Sequence, residues 1–90
     1  MADPVKILAN TVTVNSTASS ISSASLVRLI NSDGTNSAEI VQRDASNNVL
    51  GTIVLGAAGS DASIMFLMKH STDTLESNSD LVFGVSVGFY

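Results

Sequence analysis

Ninety residues with 44% hydrophobic and 13% charged side chains are too apolar to stay disordered, and they fit one small folded domain spanning 1–90. A chain this short buries only about 60 to 65% of its unfolded surface; with no cysteine for a disulfide and no Cys/His cluster for structural zinc, self-association is the common supplement left to it. The net charge of −4, with only Lys6, Arg28, Arg43 and Lys69 spread along the chain as basic residues, offers no electrostatic footprint for nucleic acid.

In chain order, MADPVKILAN has too short an apolar core for a signal peptide, so synthesis in the cytoplasm is expected. It reads instead as an extended N-terminal arm over 1–10: Pro4 biases Asp3 to extended backbone, and Val5, Ile7 and Leu8 supply apolar anchors for docking. TVTV (11–14) is strand-like. NSTASSISSAS (15–25) is a small-residue tract with one branched apolar residue, Ile21, expected to lie extended or looped across the domain edge with its hydroxyls bonding backbone or water.

Five further runs have strand length and strand-forming composition: SLVRLI (25–30), AEIVQR (38–43), VLGTIVL (49–55), SIMFLMK (63–69) and LVFGVSVGFY (81–90). Polar clusters separate them at 31–37, 44–48, 56–61 and 71–80. Asp33-Gly34 and Asn47-Asn48 suit tight reversals, which predicts antiparallel hairpins between consecutive strands. The fold class is therefore all-β, a small antiparallel sandwich or barrel of about six to eight short strands. No segment approaches the ~20 apolar residues that span a bilayer, and no membrane partner is expected.

VLGTIVL and SIMFLM are apolar on both faces, so both faces are covered or one meets a neighbour. The last strand alternates strictly. Leu81, Phe83, Val85, Val87 and Phe89 are expected to form its core face, with Val82, Gly84, Ser86, Gly88 and Tyr90 opposite. The small residues of the second face permit close approach of another sheet or subunit; the alternative is a solvent side whose glycines bulge the strand. The candidate interaction surface is accordingly Val5, Ile7, Leu8, Gly84, Ser86, Gly88 and Tyr90.

Catalytic patterns are missing. His70, the only histidine, has no motif partner and reads as a strand-end surface residue. Asp44, Ser46 and Asn48 match the first ligands of a calcium loop, but Val49 stands where glycine is required and Leu55 where a bidentate carboxylate is needed, leaving a hairpin turn. Asp73, Glu76 and Asp80 read as a solvated acidic loop. GAAGS lacks the Lys-Ser/Thr of a phosphate-binding loop. The expectation is a protein without enzymatic activity or cofactor.

The stretch MKHSTDTLESNSDLVFGVSVGFY (68–90), with a basic strand end, a Thr-Asp turn, a polar loop and a last alternating strand, resembles the ending of small structural proteins of tailed bacteriophages, particularly marine ones. The resemblance is one of pattern and carries over no functional residues. It implies a virion component, foremost a capsid decoration or cement protein, partnered by the major capsid protein or other virion proteins and assembled as a homo-oligomer. A tail, neck or fibre component shares the same features, and a stand-alone carbohydrate- or cell-surface-binding sandwich is the alternative outside that class.

Overall fold

The computed structural model describes residues 5–89. Eight strands form two antiparallel sheets: β1 (Val5–Ile7), β2 (Val12–Val14), β3 (Leu26–Asn31), β4 (Ala38–Arg43), β5 (Val49–Leu55), β6 (Ile64–Met68), β7 (Thr74–Ser77) and β8 (Val82–Phe89). The five-stranded sheet runs β1-β8-β3-β6, with β2 joining β8 on the same side as β1, and the three-stranded sheet runs β5-β4-β7. This is the small all-β sandwich anticipated from the spacing of the strand-like runs.

The connections differ from the anticipated hairpins. Of the links between consecutive strands only β4–β5 joins neighbours in a ladder; β3–β4, β5–β6, β6–β7 and β7–β8 all cross between sheets. Asp33-Gly34 therefore marks a crossover. The Asp33 carboxylate accepts hydrogen bonds from the Thr35 and Asn36 amides at 2.9 and 3.1 Å, turning the chain toward the other sheet. In the true hairpin, Asn47 takes φ 67° and Asp44 Oδ1 accepts from the Ser46 and Asn48 amides, both at 2.9 Å, as an Asx-type turn requires.

Apolar side chains from both sheets meet in the middle, with Val14, Val27, Leu29 and Val82 on one side facing Ile40, Leu55 and Leu75 on the other, all buried. Asn31 is buried among them and fully used: its amide donates to the Asn36 and Gly56 carbonyls at 3.0 and 3.1 Å, and its oxygen accepts from the Asp33 amide. One side chain thus ties β3 to the two loops that leave for the other sheet.

The tract 15–25 lies across one side of the sandwich, as its composition suggested. Ser19 and Leu75 exchange both backbone hydrogen bonds at 3.0 and 2.8 Å, and the Ser77 amide donates to the Asn15 carbonyl. The chain then makes a left-handed turn in which Ile21, Ser22 and Ser23 have φ of 53°, 58° and 56°. Such backbone costs L-residues about 1–2 kcal/mol each, and complete burial of Ile21 offsets part of it. Serine hydroxyls hold the turn: Ser19 Oγ accepts from the Ile21 amide and Ser20 Oγ from the Ser23 amide.

Of the expected N-terminal arm over 1–10, Val5–Ile7 is a strand paired along the end of β8 and the Leu8 amide donates to the Ser86 carbonyl at 2.8 Å; residues 1–4 lie outside the described residues. β7 falls inside the stretch 71–80 that reads as a loop, because only Leu75 in TLES is apolar.

Candidate functional site

Register assigns every side chain of the five-stranded sheet to a face, since directly opposed residues share one. Val14 opposes Val82, Leu29 opposes Gly84 and Val27 opposes Ser86, and these point into the sandwich. The two faces of β8 are thus the reverse of the expectation: the small side is the core side. Gly84 has its physical reason in three neighbours, because a Cβ there would come within 3.2–3.3 Å of Leu29, Val14 and Val27 side-chain carbons. Large branched residues on the flanking strands occupy the volume that β8 leaves free.

The candidate surface Val5, Ile7, Leu8, Gly84, Ser86, Gly88 and Tyr90 is accordingly divided. Gly84 and Ser86 are buried and are removed from it. Gly88 is half-buried, with Leu8 Cδ1 3.2 Å from where its Cβ would stand, and Leu8 itself is exposed. Ile7, opposite Val87, is 75% exposed on the outer face. Val5 is described through its backbone pairing with Phe89; Tyr90 lies outside the described residues.

The outer face is where the apolar surface gathers. β6 contributes Ile64, Phe66 and Met68, β3 contributes Leu26, Arg28 and Ile30, and β8 contributes Phe83, Val85 and Val87. Cross-strand neighbours run Met68–Leu26, Phe66–Arg28–Val85 and Ile64–Ile30–Phe83. Val85 and Val87 lie low and buried in the middle, whereas Phe66 is 50% and Met68 80% exposed at the rim. A hollow of about 590 Å³ opens at one end, lined in part by Leu26, Phe66, Met68 and Val87. Arg28 is the one charged residue in this array and is half-buried; no side-chain hydrogen bond or ion pair joins its guanidinium to another described residue. Sequence reading missed this face because it assigned the odd-numbered residues of β8 to the core. The signal was already in SIMFLM, read as apolar on both faces, but nothing in the sequence joined its outer residues to those of β8 through β3, which lies between them.

The polar clusters settle into structural roles. Lys69 is buried at the end of β6, where its ammonium donates to the Asp73 carbonyl at 2.9 Å and the His70 carbonyl at 3.2 Å. Burial pulls its pKa below the usual lysine range, and the nearby Asp73 carboxylate partly counters this. Asp73 in turn accepts from the His70 amide and from Gln42 Nε2. The His70 residue is exposed and serves this turn through its backbone. Glu76 pairs with Arg43 across the β4–β7 ladder, and Asp80 is exposed. Among the described residues no group of three His, Asp or Glu side chains is placed to hold a metal ion, and no helix is long and apolar enough to cross a membrane.

Comparison of the chain with protein-family models, with curated proteins and with solved structures found no match.

Proposed function

We propose that this chain is a structural subunit that acts through contact area and carries out no chemistry, and that its place is in a phage virion, foremost as a decoration protein on the capsid. One observation carries the contact role: the outer face of the five-stranded sheet is apolar from Ile7 to Met68, whereas the outward side of an antiparallel sandwich is ordinarily polar. Arg28 refines the partner. A half-buried guanidinium set among Phe66 and Val85 gains most from a partner that brings a carboxylate into an otherwise apolar contact. A second copy stacked face to face about a twofold axis through the middle of this face would instead oppose Arg28 with Arg28. The virion assignment rests on the pattern of 68–90, which a tail, neck or fibre component shares; the capsid surface is the foremost placement on the particle.

Mass spectrometry of purified particles of a phage carrying this gene should find the chain in many copies; its absence would overturn the virion reading. Co-sedimentation with capsid shells separates the contact role. Phe66→Lys and Arg28→Glu should each lose shell binding while keeping a folded circular dichroism spectrum, and unchanged binding by both would remove the outer face as the docking surface.

A further inference from the structure

On one side of the sandwich both sheets end in a strand that pairs along only one of its edges. β5 and β6, the end strands of their sheets, lie on the same side: Ile40, Leu50, Gly51, Thr52 and Ile53 of the three-stranded sheet and Leu67 of β6 line a cleft of about 150 Å³ between them. β5 pairs with β4 along one side; among the described residues no strand pairs with its other side. Edge strands of this kind are ordinarily protected by Lys, Pro, brevity or a cover. β5 has seven residues, none charged and none proline, and Val49, Leu50 and Val54 are each more than half exposed. Its one blunting device is a bulge: Gln42 opposes Gly51 and Arg43 opposes Val49, leaving Leu50 over. Beyond the bulge, Gly51–Leu55 keeps a regular register with Ala38–Gln42.

We infer that the free edge of β5 is a self-association surface, on which Gly51–Leu55 of a second copy adds as an antiparallel strand. A twofold axis normal to the sheets presents any strand to itself in antiparallel sense, so one sequence satisfies both sides of the contact. The result is a continuous six-stranded sheet across two copies, with the cleft beside Leu50 and Leu67 covered. Charge favours this choice of occupant. Copies carrying −4 each repel, yet from Val49 to Met68 the only charged residue is Asp61, so β5 and β6 themselves add no charge to the contact. The surface is separate from the outer face assigned above, and the inference does not depend on the virion reading.

Light scattering with size exclusion, run over a wide range of concentration, tests it. The wild type should pass from one to two chain masses as concentration rises. Val54→Lys and Thr52→Lys, both at exposed positions, should stay at one chain mass with unchanged circular dichroism, and Phe66→Lys on the outer face should dimerise as the wild type does. Hydrogen exchange should show the 51–55 amides slowing with concentration in the wild type. A wild type that remains at one chain mass, lysine variants that dimerise undiminished, or a Phe66→Lys variant that alone fails to dimerise would each overturn the inference.

Discussion

Along one side of the sandwich, β7 is covered by the chain's own 15–19 segment through the paired Ser19 and Leu75 hydrogen bonds; along the other, β5 keeps its outer backbone uncovered and Val54 is 59% exposed. The covered edge is expensive in chain and in conformation. It takes the tract from Asn15 to Ala24 and a left-handed turn at Ile21–Ser23, held by serine hydroxyls and by the buried Ile21. The chain therefore possesses a device for closing an edge and deploys it once. On β5 the open edge is apolar and uncharged, which is the composition a joining surface needs and a solvent-facing edge does not.

The comparison is broken most severely from the covered side. Leu75→Ala empties a fully buried position directly beneath the bridge to Ser19 and should cost about 2–5 kcal/mol by urea unfolding. Val54→Ala on the open edge, measured with the protein dilute, should change stability by no more than about 0.5 kcal/mol. Equal losses would mean that the two edges contribute alike. Gly84→Val comes next: it forces a branched side chain against Val14, at the end of the strand that leads to the covering segment, and against Leu29 and Val27, for a loss of about 1–3 kcal/mol. A smaller effect of opposite sign is expected in the left-handed turn, where Ser23→Gly should raise the unfolding free energy by roughly 0.5–1 kcal/mol by removing a strained φ.

The smallest effect lies in the hairpin that starts the open edge. Asp44 accepts from the Asn48 backbone first, and from Ser46 and the Asn48 side chain, and these bonds hold its pKa below the ordinary 3.8. A carboxylate whose pKa is depressed by folding contributes stability above its unfolded pKa and loses it as pH falls through the lower folded value. Carbon-detected titration should therefore place Asp44 below a free aspartate. Asp44→Asn should flatten the acid limb of the stability profile slightly, with an unaltered limb counting against the bonds.

Much of the fold was legible because period-two runs and polar breaks report strands directly. The runs 11–14, 25–30, 38–43, 49–55, 63–69 and 81–90 could be read from composition, and each holds a strand within about one residue of those bounds. β7 could not, because Leu75 supplies its only apolar side chain and the strand is held by Gln42–Leu75 pairing and by the Ser19 bridge. Topology was misread at Asp33-Gly34, where the same residue types that favour a hairpin turn also cap a crossover. The candidate surface suffered from a more general ambiguity. Alternation tells which residues share a face, but it does not tell which face is inside. On β8 the answer depended on Leu29 and Val27 of the adjacent strand β3, next to it in space but more than fifty positions away in sequence, whose side chains fill the volume above Gly84.

The pairing of Val5 with Phe89 has a consequence for the order of assembly. This ladder brings together backbone from near the two extremes of the sequence, and the loop it closes contains every other strand. Closing such a loop in an unfolded chain carries the largest entropic penalty the molecule has, so the β1–β8 contact is gained late, after β3 and β8 have found each other. The same proximity would let a short peptide join Val5 to Phe89 and the chain be reopened in the 44–48 turn, converting the most distant of the described pairings into the most local one.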